Sequence, residues 1–227
     1  LGTPQARKAL IAGATGLVGG HLLRRLLAHV SYTRVEVLVR RELSISHPKI
    51  SQRIVDFERL DLGMADAVDE VFCCLGTTIK KAGSQDAFWR VDHDYPLMLA
   101  RMAEAAGARQ FLMVSALGAD PHSSVFYSRV KGETERDIAA IGLPRVIFMR
   151  PSILLGERQE HRPGEGAGAL VGQLIAPLLV GALRKYRPIP ADDVAAAMIY
   201  AADHEVPAGP VDSDAIARLA QRENAGK

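Results

Sequence analysis

The chain has 227 residues, enough for one domain with a substantial core, and its 48% hydrophobic and 24% charged residues are an ordinary globular mix. With 28 Lys and Arg against 26 Asp and Glu, the formal net charge of +2 is too balanced to suggest a nucleic-acid binder. Cys73 and Cys74 are adjacent, lack the C-x-x-C spacing of a redox pair and read as small, reduced core residues with no need of an oxidising compartment.

Leu1 to Lys8 is short and polar and shows no signal-peptide pattern, so a cytoplasmic location is expected. The first strand is expected over 8–12. A glycine-rich turn follows, then a helix over 17–30 in which Leu22, Leu23, Leu26, Leu27 and Val30 recur at helical spacing. The second strand is expected over 35–39, a weaker third over 53–55 and the fourth over 70–75. A long helix is expected over 85–106, kinked near Pro96 and stopped by Gly107. The fifth strand reads over 110–114, a helix over 124–141 and the sixth strand over 145–149. Residues 166–183 carry no charge, and Arg184, Lys185 and Arg187 follow. That length barely reaches the about 18 residues of a membrane span. Its glycines and Pro177 favour a buried lid or a subunit-contact helix instead. Helices over 191–202 and 214–220 complete the chain.

Strands alternating with amphipathic helices imply an α/β fold, a doubly wound parallel sheet in a single domain. Residues from about 151 onward are expected to form a small C-terminal substrate-side portion.

The strongest local signal is Gly13-Ala14-Thr15-Gly16-Leu17-Val18-Gly19, set between strand and helix. Gly13 permits a tight turn, Gly16 lets backbone approach a pyrophosphate and Gly19 lets the helix pack close to the sheet. The helix start offers free N–H groups and a positive dipole end to phosphates. Gly13, Thr15, Gly16, Leu17, Val18 and Gly19 are therefore expected to contact a dinucleotide. The second strand ends in Arg40 and Arg41, where an acid would bind the ribose hydroxyls of NAD(H). Guanidinium groups suit a 2′-phosphate, so NADP(H) is expected over NAD(H). Asp56 can accept from an adenine amino group or cap a helix.

Tyr127 and Lys131 stand at i, i+4 in the helix after the fifth strand, which places them on one face. An ammonium beside a phenol favours ionisation, so such a phenol can serve as general acid or base near neutral pH. Ser115, at the end of the fifth strand, can bond a substrate carbonyl or be satisfied by backbone. Ser123 and Ser124 are rival donors.

These residues resemble the short-chain dehydrogenase/reductase superfamily in its extended or atypical branch. The chain is more closely similar to the Tat-interacting-protein-like family. That likeness rests on Cys73-Cys74-Leu75-Gly76-Thr77-Thr78, Lys81-Ala82-Gly83, Val91-Asp92-x-Asp94-Tyr95 and Arg158-Gln159-Glu160-x-Arg162-Pro163-Gly164-Glu165. The resemblance implies a seven-stranded Rossmann sheet, NADP(H) on Gly13, Gly16 and Gly19, and catalytic positions for Tyr127 and Lys131. It also implies that Leu75, Gly76 and Thr77 line the cofactor and that Arg150-Pro151 lies near the nicotinamide end. The chain departs from the family pattern at two places. Asp92 stands where many active members carry Asn, and Ser115-Ala116 where many carry paired serines.

The expected function is an NADP(H)-dependent oxidoreductase acting on a small carbonyl or alcohol. Tyr127 protonates the carbonyl oxygen, Lys131 tunes the phenol and holds the nicotinamide ribose, and Ser115 orients the carbonyl. The alternatives are a non-catalytic NADP(H)-binding regulatory module with a protein partner, and a nucleotide-sugar epimerase or dehydratase. The small-molecule substrate is not identified by the sequence, and a homo-oligomer stays open.

Overall fold

A computed structural model describes residues 6–60, 67–156 and 179–226. Residues 158–165 and most of the apolar run over 166–183 lie outside this set. Strands β1 (Arg7–Ala12), β2 (Tyr32–Val39), β3 (Ile50–Ile54), β4 (Glu70–Cys73), β5 (Gln110–Val114) and β6 (Val146–Arg150) form a sheet with a further strand at Gly209–Asp212. The seven-stranded order runs β3-β2-β1-β4-β5-β6 and then Gly209–Asp212, with every neighbouring pair parallel. The chain leaves β3 at one edge and crosses to β4 on the other side of β1. This reversal opens a crevice at the carboxyl ends of β1 and β4, where open α/β sheets bind ligands.

Alternation along β1 divides the core. Ala9 and Ile11 face helix α1 (Leu17–Ala28), while Leu10 and Ala12 face the opposite layer. Near-continuous burial along β1 and β2 is what a parallel sheet covered on both faces requires. Helix α1 ends at Ala28, two residues short of the predicted end. Val30 is 81% exposed and belongs to no apolar face.

The region expected as one helix over 85–106 is broken into parts. Helix α2 (Ile79–Ala82) precedes α3 (Gln85–Trp89), a π-type turn spans Arg90–Asp94, and α4 runs over Tyr95–Ala105. The irregularity lies before Pro96 rather than at it. Pro96 has no N–H to return to the Asp92 carbonyl one turn back, and the Thr134 hydroxyl donates to that carbonyl instead, at 3.0 Å. Gly107 ends α4 as expected, in a left-handed conformation at φ +70°. The Ala108 N–H returns to Ala103 O at 2.9 Å, closing a Schellman-type cap.

Helix α5 (Phe126–Ala139) follows β5. Its interior Gly132 packs against backbone: a Cβ there would lie 2.2 Å from Asp120 C and Pro121 N. After β6 come a short two-stranded sheet of β7 (Leu154–Leu155) and β8 (Ile189–Pro190), a 3₁₀ turn over Gly181–Tyr186, helix α6 (Ala191–Asp203), β9 (Gly209–Asp212) and helix α7 (Ser213–Ala225). Residue patterning alone found six strands; β9 is the seventh that the resemblance implied. Its Gly209 and Pro210 mask a strand that survives only as an edge.

At the amino ends of the strands, buried polar groups satisfy one another. Arg7 pairs with Glu70 at 2.9 Å and with Asp203, and Tyr32 and Gln110 both donate to Glu70. Among the described residues no helix is long and apolar enough to cross a membrane.

Candidate active site

The glycine turn joins β1 to α1, and each glycine has its own reason. Gly13 has φ +86°, and a Cβ there would lie 2.4 Å from the Cys74 carbonyl oxygen. Gly19 comes so close to the turn that a Cβ would lie 2.1 Å from Gly13 O. Gly16 donates to Gly13 O at 2.9 Å, and Thr15 and Gly16 are exposed at the tip. Gly20 N–H makes the 2.9 Å bond to Gly16 O that starts the helix, and no side chain caps the end. The N–H groups of Leu17, Val18 and Gly19 come ahead of that bond, and with no acidic residue in the first turn this helix start is open to an anion.

Arg40 and Arg41 follow β2 and are exposed, with no side-chain partner among the described residues. Asp56 takes the capping role of its two readings. Its carboxylate Oδ1 accepts the Glu58 N–H at 3.0 Å at the start of a 3₁₀ turn over Phe57–Arg59.

On α5, Tyr127 is half-buried against Phe88, with ring centroids 5.6 Å apart, and its hydroxyl has no hydrogen-bond partner among the described residues. One turn on, Lys131 is buried, and its ammonium lies 2.8 Å from Asp92 Oδ1. Burial pulls the Lys131 ammonium down, but its pairing with the Asp92 carboxylate above all holds it above the ordinary lysine value. Asp92 comes from the π-type turn and is fully buried, and its Oδ2 accepts the Thr77 N–H at 2.8 Å. One carboxylate thus ties the loop of Leu75, Gly76 and Thr77 to α5. A Cβ on Gly76 would lie 3.4 Å from Asp92 Oδ1 and 3.8 Å from Lys131 Nζ, so this loop runs directly beside the pair.

Ser115 has a side-chain partner. It is buried, and its hydroxyl donates to Glu135, one turn beyond Lys131 on α5. Arg150 holds the same carboxylate, with Nε 3.0 Å from Glu135 Oε1, and this bond raises the guanidinium above its ordinary value. Ser115 Oγ and the Nε/Nη2 edge of Arg150 thus meet on one carboxylate, that of Glu135. Residue patterning missed Glu135. The available signal was its i+4 spacing from Lys131, which puts it on the Lys131 face of α5. Ser123 Oγ accepts the Val125 N–H at 3.1 Å, just ahead of α5.

The cysteines are free thiols, as read. Burial pushes the Cys73 thiol up to about 12 and the Cys74 thiol well above its ordinary value.

These features converge although they lie far apart in sequence. Gly13 abuts Cys74 O, and Gly76 runs beside Lys131, so the glycine turn and Lys131 meet at the carboxyl end of β4.

A family model described as NAD(P)H-binding matches residues 13–205. Protein HTATIP2 of Rattus norvegicus is 41% identical over 166 residues, covering 71% of this chain and 68% of its own length. Protein FMP52, mitochondrial, of Eremothecium gossypii is 34% identical over 223 residues, covering 95% of this chain and 98% of its own. Among solved structures, UDP-N-acetylglucosamine 4-epimerase from Methanobrevibacter ruminantium M1 superposes with TM-score 0.68 at 15% identity, covering 92% of this chain and 77% of the other. MoeE5 in complex with UDP-glucuronic acid and NAD does so with TM-score 0.68 at 20% identity, covering 90% and 75%. At those identities the solved structures show the fold alone. The chain belongs to the NAD(P)H-binding family, among the atypical short-chain dehydrogenase/reductases with Rossmann fold.

Proposed function

We propose that the chain is an NADP(H)-dependent oxidoreductase acting on a small carbonyl or alcohol. The observation that carries this reading is the meeting of the glycine turn with Lys131, one helical turn from Tyr127 on α5, at the end of β4. The residues fit a dinucleotide. Where Gly13 and Gly19 stand, a Cβ would displace the backbone of the turn, and the helix start is uncapped. Gly13, Thr15, Gly16, Leu17, Val18 and Gly19 would hold the pyrophosphate, Arg40 and Arg41 a 2′-phosphate, and Leu75, Gly76, Thr77 and Lys131 the nicotinamide half. When bound, the cofactor supplies or takes up the hydride. Tyr127 presents a hydroxyl free to bond a carbonyl oxygen and give it a proton. Lys131, held by Asp92, adds the ammonium beside it. Glu135 accepts the hydrogen bond of Ser115, which in this reading holds the serine hydroxyl between β5 and α5.

Titration with NADPH and, separately, NADH, followed through quenching of Trp89, tests the cofactor. Preferential NADPH binding that is lost on replacing Arg40 and Arg41 supports the reading, and no binding of either overturns it. A carbonyl screen with the Tyr127→Phe variant then tests catalysis: turnover should vanish while NADPH binding persists.

A second reading is favoured by the commitment of Ser115 to Glu135 and of Lys131 to Asp92. It makes the chain a non-catalytic NADP(H)-binding module that reports cofactor occupancy to a protein partner. NADPH binding with no Tyr127-dependent turnover selects it. Location in the cytoplasm belongs to our proposal, whereas the FMP52 relatives are named mitochondrial. Fractionation of cells expressing the full chain decides between the compartments.

A further inference from the structure

We propose that Asp92 is a positioning residue whose carboxylate offsets the charge of Lys131 and so weakens the pull of that ammonium on the Tyr127 hydroxyl. This rests on the oxidoreductase reading above.

Asp92 Oδ2 accepts the Thr77 N–H at 2.8 Å, and Oδ1, which accepts no hydrogen bond among the described residues, stands 2.8 Å from the Lys131 ammonium as an ion pair. The two charged side chains are 5% and 1% exposed, so water does little to screen either one. Three elements bring titratable groups to bear on Lys131: Asp92 pairs with it from the π-type turn, Tyr127 stands one turn back on α5 and Cys73 ends β4. Burial pushes the Cys73 thiol up to about 12, so it is neutral. Asp92 is therefore the full negative charge set against the ammonium. A lone buried ammonium beside a phenol draws the phenol toward its ionised form. An ammonium closely paired with a carboxylate presents a dipole instead, and its pull on a third group is largely cancelled. An asparagine at position 92 would offer the same acceptor without the charge.

Where the proton sits decides which half of the reversible reaction the resting site is protonated to start, while the net direction stays with substrate and cofactor. In reduction, the carbonyl carbon gains hydride from a reduced nicotinamide. The Tyr127 O–H bond breaks, the carbonyl oxygen takes that proton and a phenolate remains for solvent to reprotonate. Oxidation of an alcohol needs the phenolate at the outset. A site that offsets its lysine therefore holds the acid ready and leaves the base scarce.

The test uses the full chain without cofactor or substrate. Phenolate absorbance is titrated with pH in the wild type and in D92N, K131M and D92N/K131M, each with and without Y127F to isolate the Tyr127 signal. In D92N the Tyr127 phenolate should appear at least about one pH unit lower than in the wild type. In K131M, where Asp92 stands alone, it should appear higher. In D92N/K131M, which removes both charges and avoids an unpaired buried ion, it should return close to the wild-type curve. A folded D92N that titrates like the wild type overturns the proposal. If D92N does not fold, the double variant decides, and a curve displaced upward from wild type overturns the proposal, because it shows that Lys131 acts uncompensated. Failure of NADPH binding or of Y127F sensitivity would sink the oxidoreductase reading without altering this titration, so the two failures are distinguishable.

Discussion

The carbonyl oxygen of Gly13 lies 2.1 Å from the point at which Gly19 would carry a Cβ, so α1 rests directly on the turn that precedes it. Any side chain at position 19 must push the turn away from the helix start. Overpacking of this kind costs about 1–3 kcal/mol, and here the displaced atoms are those expected to hold a pyrophosphate. Gly19→Ala should weaken NADPH binding by about tenfold or more, while far-ultraviolet circular dichroism stays near wild type. Unchanged affinity would mean that the turn does not hold the phosphates.

Gly132 sits in the middle of α5, where glycine lowers intrinsic helix stability by about 1 kcal/mol relative to alanine. The alanine that propensity favours would place its Cβ 2.2 Å from the Asp120–Pro121 backbone. Gly132→Ala should therefore destabilise the chain by about 1–3 kcal/mol, read as a lower denaturation midpoint in urea at unchanged slope. Stabilisation would show that the 118–122 loop gives way freely.

Asp203 ends α6 and contacts Arg7 and His29. Burial pushes its carboxyl up, but His29 and Arg7 outweigh burial and hold it below the ordinary carboxylate value. A carboxylate depressed in the folded state contributes stability above its unfolded value, near pH 4. That stability is lost as pH falls through the lower folded value. Asp203→Asn should flatten the acid side of the stability profile below about pH 4. Denaturant midpoints measured across acid pH for both proteins check this. Parallel profiles would remove Asp203 from the acid response.

Cys73 and Cys74 should resist alkylation in the native chain, because burial disfavours both thiolates. Iodoacetamide labelling followed by mass spectrometry should find both thiols unmodified at neutral pH and fully labelled in denaturant. Rapid native labelling of either would show that the end of β4 opens readily.

The glycine turn was legible because its demands are local. A positive φ at Gly13 and an uncapped start at Leu17 are properties of a few consecutive residues. Period and burial made β1, β2, α1 and α6 legible in the same way. Val30 was misread because helical spacing continues past the residue at which the helix stops. The break at Arg90–Asp94 was misplaced because Thr134, far along the chain, provides the bond that Pro96 cannot make.

The sequence by itself determined the alternation of strands and helices, the glycine-rich turn and the spacing of Tyr127 and Lys131. These depend on backbone conformation and side-chain period among near neighbours. Only the tertiary structure decided that Lys131 faces Asp92 and that Ser115 is claimed by Glu135. Charges and hydroxyls choose partners by distance and burial. Those are set where β4, β5 and α5 are packed together by the crossovers of the sheet, not by position along the chain.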